Sequence, residues 1–233
     1  MRIKRTTSII VTIFVLMCSL LLVVGCNHSN PLDTTYDTVK TTKMNNFTHL
    51  NETAKHGEVV MIGDSIVEIY NTHEHFADVD KIVYNRGISG DTSDRMLERM
   101  SNALDIAPST LFILIGTNDI GRGIPRETTL ANTKKAIEKA KTSGVKNIVV
   151  ESVYPVNHAI NPGMVGRRKN KDIIDYNKTL KTLCDEQSVI YVDLFSVLAD
   201  GDGNFNSKLT YDGLHPNDIG YDAITSILKT YIK

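Results

Sequence analysis

Ser65 follows the apolar run Glu58–Ile62 through Gly63 and Asp64. A serine at such a strand end can act as a nucleophile, given a base to take its proton and donors to hold the resulting oxyanion. The same position suits a helix N-cap, where the hydroxyl closes the first turn. No serine has glycine at both −2 and +2, so the Gly-x-Ser-x-Gly nucleophile elbow is absent. Of the seven histidines, only His215 has an acid three residues earlier, Asp212, on a turn that carries Gly213 and precedes the last helical segment. Asp212 can hold one imidazole nitrogen while the other faces a serine. The plainer alternative is a solvated surface turn with an Asx-turn at Asp212. Asn118 and Gly87 follow neighbouring strand-like runs; a side-chain amide and a backbone N–H there can donate to one oxygen, together with the Ser65 N–H.

These groups meet only if the intervening elements bring them to one edge. Short Val/Ile-rich runs recur at Glu58–Ile62, Lys81–Tyr84, Leu111–Ile115, Lys146–Glu151 and Ser188–Asp193. They are apolar on successive residues, the pattern of strands covered on both faces in a parallel sheet. Helix-length segments lie between them at Ser93–Leu104, Arg126–Thr142, Lys171–Glu186 and Asn217–Tyr231. Pro125 ahead of the second and Gly144 after it are start and stop signals. The alternation implies right-handed crossovers and a three-layer α/β/α sandwich around a five-stranded parallel sheet. Ligands in such folds sit beyond the carboxyl ends of the strands. Gly63-Asp64-Ser65, Asn85-Arg86-Gly87 and Gly116-Thr117-Asn118-Asp119 are expected there.

Taken together with Asp212-x-x-His215, these blocks resemble the GDSL-type or SGNH hydrolases, in that family's order and over about residues 58–233. The resemblance implies a flavodoxin-like fold and an ester hydrolase needing no metal or organic cofactor. It implies Ser65 as nucleophile, His215 as general base then acid, and Asp212 as its orienting partner. The oxyanion hole would be the Ser65 N–H, the Gly87 N–H and the Asn118 amide. Asp64, Thr117 and Asp119 are expected to cap and to close turns. The stretch Asn85–Thr92 is most similar to the platelet-activating-factor acetylhydrolase and lysophospholipase-like branch. A short acyl group, acetyl first, on a carbohydrate or other cell-envelope alcohol is the expected substrate. Long-chain lysophospholipase or thioesterase activity, acyl transfer, and an inactive binding lipoprotein remain alternatives.

The chain opens with Arg2, Lys4 and Arg5, then runs apolar from Ile9 to Val24 and reaches Gly25-Cys26. This is the form of an export signal, and its end resembles the bacterial lipobox. Residues 1–25 are expected to be a lipoprotein signal peptide, with Cys26 lipidated and anchored to the outer face of the cytoplasmic membrane. An uncleaved anchor is the alternative, since about 17–25 apolar residues suffice to span a bilayer. Residues 26–56, rich in Thr, Asn and Asp, read as a flexible tether with at most a short helix near Met44–Asn51, and 57–233 as the catalytic domain. With Cys18 in the leader and Cys26 lipidated, Cys184 has no disulfide partner.

The balance of 26 basic against 27 acidic residues argues against a nucleic-acid binder. Aromatic content of 6% without tryptophan disfavours a broad stacking platform. Asp200-Gly201-Asp202-Gly203-Asn204 opens like a calcium loop, but Phe205 stands where glycine is needed and Tyr211 where glutamate is needed. His73-Glu74-His75 lacks a third ligand, and Gly121-Arg122-Gly123 lacks the third glycine of a phosphate loop. Arg167-Arg168-Lys169 reads as a solvated helix start, with contact to an anionic substrate or phospholipid as its alternative.

Overall fold

The computed structural model describes residues 31–233, with side chains from residue 35 onward. The leader and Cys26 lie outside the described residues. The chain divides into two compact units, Met1–Val39 and Lys40–Lys233, and the second contains the sheet and Ser65, Asp212 and His215.

Five strands form one parallel sheet: β1 Val59–Gly63, β2 Val83–Gly87, β3 Thr110–Leu114, β4 Asn147–Glu151 and β5 Ile190–Val192. Their spatial order is β2-β1-β3-β4-β5, the flavodoxin-like order. The helices in chain order are α1 Pro31–Asn51, α2 Ser65–Glu68, α3 Thr72–His75, α4 Ser93–Glu98, α5 Ser101–Leu104 and α6 Thr117–Arg122. They continue as α7 Arg126–Thr142, α8 Pro162–Val165, α9 Asn170–Glu186, α10 Phe195–Leu198 and α11 Asp218–Leu228.

Alternate residues of each strand feed two cores. Val60, Ile62, Leu111, Ile113, Ile148 and Val150 face helices α4, α5, α7 and α9 through Met96, Ala103, Ile137, Ile173 and Leu180. Val59, Met61, Phe112, Leu114, Val149 and Val192 face α2, α10 and α11 through Ile66, Val67, Leu198, Tyr221 and Ile224. These are the two outer layers, and they explain why β1, β3 and β4 are apolar on successive residues. Fully burying each such Val, Leu or Ile contributes about 1.5–3 kcal/mol. Truncating Ile113 to alanine at the centre would cost about 2–5 kcal/mol through the cavity left behind. Helix α7 has the bounds expected, and its buried stripe of Thr129, Thr133, Ala136, Ile137 and Ala140 repeats at helical spacing.

Two expectations are corrected. Strand β2 runs from Val83 to Gly87, so Asn85-Arg86-Gly87 lies inside the sheet rather than after it. Asn85 and Arg86 look un-strand-like because β2 is the edge strand and their partners are non-local: Asn85 Nδ2 donates to Val67 O and Tyr70 O at 2.5 and 3.0 Å. The second correction concerns the tether. It is helical from Pro31 to Asn51, and from Lys40 on it is bound to the domain. Lys40 pairs with Glu98 at 2.7 Å, Lys43 with Glu68, and Asn51 accepts from Arg86 Nη2 at 2.7 Å. The Arg86 guanidinium also lies over the Phe47 ring, 5.0 Å from its centroid. A Thr/Asn-rich segment is a poor helix former alone, and tertiary contacts of this kind supply what propensity does not.

Register levels the strand ends. Gly63 of β1 stands opposite Gly87 of β2 and Leu114 of β3. The segments after these three strands therefore leave the sheet side by side.

Candidate active site

The turn out of β1 is closed by Asp64, whose Oδ1 accepts from the Ile66 N–H at 3.0 Å and caps α2. Ser65 is the first residue of that helix and half-buried, where a backbone N–H has no intrahelical acceptor. Helix α2 lies directly on β2: a Cβ at Gly87 would stand 2.2 Å from the Glu68 nitrogen. Glycine is required there for this close approach.

His215 reaches Ser65 from the other end of the chain, with Nε2 3.0 Å from the Ser65 Oγ. Its Nδ1 lies 2.7 Å from Asp212 Oδ2. The other carboxylate oxygen, Oδ1, accepts the backbone N–H groups of Leu214 and His215 at 2.9 and 2.8 Å. Burial works against ionisation of Asp212, but these hydrogen bonds and the imidazole outweigh it and hold its pKa below the ordinary value. An ionised carboxylate only accepts, so Nδ1 carries the ring proton and Nε2 presents a lone pair to the serine. The loop is closed by Thr210, which accepts from Gly213 N at 2.9 Å and donates to His215 O at 2.6 Å. Gly213 has φ +80°, and a Cβ there would lie 2.3 Å from Asn157 O, so this turn excludes other residues. Tyr211 is 59% exposed and its ring stacks on His215, with centroids 5.9 Å apart and planes at 14°.

Asn118, on the first turn of α6, is half-buried. One of its Nδ2 hydrogens goes to Asp91 O at 3.0 Å, and Oδ1 accepts from Arg168 Nη2 at 3.0 Å. The second Nδ2 hydrogen remains available as a donor. Gly87 is different. Its N–H donates to Asn85 Oδ1 at 2.8 Å, which removes it from the expected oxyanion set. The N–H of Gly90, three residues on, has no acceptor among the described residues. Gly90 has φ +79° and sits between Ser89, whose N–H is held by Glu68 of α2, and Asp91, whose carbonyl holds Asn118. Its loop is pinned from beneath by the fully buried Arg99, which donates to Asp91 Oδ2 at 2.5 Å, Arg86 O at 2.7 Å and Gly63 O at 2.8 Å.

Ser65, His215 and Asp212 thus come together, and Asn118 is tied through Asp91 to the loop that carries Gly90, while Gly87 lies in the strand behind. Such a constellation can deprotonate a serine and hold the negative oxygen of a tetrahedral intermediate. Of the residues expected to cap or close turns, Asp64 caps α2, while Thr117 accepts from Arg168 Nε at 3.0 Å and Asp119 accepts from the Ser93 N–H at 3.0 Å and from the hydroxyls of Ser93 and Thr129 at 2.6 and 3.1 Å, tying α6 to α4 and α7. Sequence reasoning missed Gly90, Tyr211 and Arg168. Gly90 carried a signal, a glycine beside Asp91 in the loop after β2; Arg168 stood in the basic run Arg167-Arg168-Lys169, which pointed to no partner at Asn118, and Tyr211 carried none. Arg168 is half-buried and engaged with α6, not a solvated helix start. The Asp200–Asn204 segment closes on itself, with Asp200 Oδ1 accepting from Asp202 N and Asn204 N at 3.0 and 2.9 Å. His75 meets Asp222 at 2.9 Å. Among the described residues, no group of three or more His, Cys, Asp or Glu could hold a metal ion, and no helix is long and apolar enough to cross a membrane. Cys184 is buried and unpaired, and burial pushes its thiol up to about 12.

The model of the GDSL-like lipase/acylhydrolase family matches residues 61–223. A Streptococcus pneumonia protein provisionally described as a platelet activating factor is 32% identical in sequence. It superposes with a TM-score of 0.78 over 86% of this chain and 95% of its own. An N-acylneuraminate cytidylyltransferase of Escherichia coli is 31% identical over 187 residues, covering 78% of this chain and 42% of the relative. The chain thus spans less than half the length of that relative. An acetyl-xylooligosaccharide esterase from Geobacillus stearmophilus shares the fold at 19% identity, with a TM-score of 0.58 over 76% of this chain and 95% of its own. With its matched family model, its sheet order and its Ser65–His215–Asp212 arrangement, the chain belongs to the GDSL-like lipase/acylhydrolase family.

Proposed function

We propose that this protein is an esterase that works through an acyl-serine and acts on short acyl esters, acetyl first, of carbohydrate or other cell-envelope alcohols. The observation that carries the mechanism is the continuous relay from Ser65 Oγ to His215 Nε2 at 3.0 Å and from His215 Nδ1 to Asp212 at 2.7 Å. Ser65 Oγ attacks the ester carbonyl carbon as its proton passes to His215 Nε2. The carbonyl oxygen becomes an oxyanion held by the Ser65 N–H, the Gly90 N–H and the free Nδ2–H of Asn118. The bond to the leaving alcohol then breaks, and His215 returns the proton to that oxygen. Water attacks the acyl-serine and gives its proton to His215; the bond to Ser65 Oγ then breaks as His215 returns that proton to Oγ, which releases the acid and restores the serine.

Three things support the substrate class. The platelet-activating-factor description of the pneumococcal relative, together with the Asn85–Thr92 stretch, favours a small acyl group. The Escherichia coli relative is named for a sugar acid, which keeps carbohydrate among the alcohols. Tyr211 offers an exposed ring beside the base that protonates the leaving group. Export of the chain and its attachment through lipid on Cys26 would place the enzyme at the cell envelope.

The test is hydrolysis of p-nitrophenyl esters from acetyl to palmitoyl by the full chain, beside Ser65→Ala. Turnover that falls with chain length and vanishes in the variant is the expected result. A maximum on long chains would move the substrate to lysophospholipids or thioesters. Activity that survives without the Ser65 hydroxyl would overturn the mechanism.

A further inference from the structure

Asn118 is held by two groups from two different parts of the chain. Asp91 O takes one Nδ2 hydrogen at 3.0 Å, and Arg168 Nη2 donates to Oδ1 at 3.0 Å. An acceptor on one side and an obligate donor on the other leave a single orientation for the amide. Arg168 comes from the loop between α8 and α9, and its guanidinium is itself fixed in place. Nε donates to Thr117 O and Oγ1 at 2.8 and 3.0 Å, and Nη1 donates to Val165 O at 3.0 Å. Its own carbonyl lies 2.7 Å from His158 Nε2. The plane of the guanidinium lies against Gly121, where a Cβ would come within 2.6 Å of Arg168 Cζ. Gly121 is three residues from Asn118, so the two share one face of α6.

We propose that Arg168 is a positioning residue for the oxyanion site: its guanidinium orients and polarises the Asn118 amide so that the second Nδ2–H is presented to the tetrahedral intermediate. A cation donating to Oδ1 draws electron density from the amide nitrogen, and hydrogen-bonded chains strengthen one another in this way. The need is greatest in the transition state, when the negative charge has formed, so Arg168 acts on kcat. This rests on the assignment of Asn118 as an oxyanion donor.

The test is a double-mutant cycle on the full chain with p-nitrophenyl acetate, using Asn118→Ala, Arg168→Met and the combined variant, with thermal melts to confirm folding. Arg168→Met should lower kcat by on the order of tenfold to a hundredfold with KM changed little. In the Asn118→Ala background the same substitution should change kcat by less than about twofold, because the group it acts through is gone. Gly121→Ala, which crowds the guanidinium without altering its charge, should give a smaller defect that also disappears in the Asn118→Ala background. If Arg168→Met does not fold, Gly121→Ala and Arg168→Lys carry the same cycle. Full additivity with Asn118→Ala, or a rise in KM alone, would show that Arg168 acts elsewhere and overturn the proposal. Full activity in Asn118→Ala by itself would instead remove the assignment of Asn118, a failure recognisable from the single variant.

Discussion

Asp212 holds His215 at both ends: Oδ2 meets the ring Nδ1 at 2.7 Å while Oδ1 accepts the His215 backbone N–H at 2.8 Å. The carboxylate therefore sets the ring's tautomer and the path of the chain that carries it. Both roles are fulfilled within a four-residue turn, so the base is oriented locally before it meets the serine.

Substituting Asp212→Asn separates the two roles. An asparagine Oδ1 can still accept the Leu214 and His215 N–H groups, but its amide donates to Nδ1 and forces the proton onto Nε2. Turnover should fall by about 10³–10⁴, with a melting temperature lowered only modestly. Steady-state kinetics beside calorimetry measure both. A loss of turnover below tenfold would mean that Asp212 only shapes the loop.

Tyr211 stacks on His215 with most of its ring exposed. His215 protonates the leaving alcohol, so that alcohol stands next to the Tyr211 ring during the first step. Tyr211→Ala should raise KM for acetylated sugars by about five- to tenfold, in line with the 0.5–1.5 kcal/mol of an aromatic contact. Its effect on p-nitrophenyl acetate kcat should be under about threefold. Equal effects on both substrates would place Tyr211 in support of His215 instead.

Two buried carboxyls lie under the site and set a pH dependence of stability. Burial pushes Asp64 from the ordinary 3.8 up to about 7, with Asp91 and Asp119 adding to it; burial likewise raises Glu151 from 4.5 to about 7. Each has one oxygen without a hydrogen-bond partner among the described residues. The native state keeps these protons to near neutral pH while the unfolded chain releases them in the ordinary acidic range. Stability should therefore fall as pH rises from about 4.5 to 7 and level off above that. Asp212, with its pKa lowered, works in the opposite sense, but only below the ordinary carboxylate range. Denaturant melts across this window should show the fall, and Asp64→Asn should flatten it; an unchanged slope in the variant would sink the assignment.

The last twelve residues of α1 belong to the domain by their contacts. Deleting them leaves the buried Arg86 without Asn51 and Phe47, and leaves Glu68 without Lys43. Glu68 also holds Ser89 beside Gly90, so the loss reaches the oxyanion loop. A chain beginning at Gly57 should lose about 1.5–3 kcal/mol, the range for lost hydrogen bonds to charged groups, and its kcat should drop as well. Equal stability of chains beginning at Lys40 and at Gly57 would show that the helix is dispensable.

The parts legible in the sequence are those with local causes. The span of α7 follows from Pro125, Gly144 and a single helical stripe, and the buried strands β1, β3 and β4 follow from runs of Val and Ile that only a doubly covered sheet accommodates. Ser65, Asp212, His215 and Asn118 were legible because each stands in a short motif at the end of an element. Gly87 was misplaced because the end of β2 depends on pairing with β1, and Asn85 and Arg86 hide a strand behind polar side chains whose partners are far away.

The doubly covered sheet with its two helical layers, and Ser65, Asp212, His215 and Asn118 as reactive groups, follow from the chain alone, since hydrophobic period and turn chemistry act over a few residues. Only the tertiary structure decided which glycine N–H is left unbonded, that a Thr- and Asn-rich segment becomes a docked helix, and that Arg168 turns inward to Asn118. Each of those depends on the register and packing of elements separated by tens of residues, and a hydrogen bond between them leaves no periodic trace in the chain.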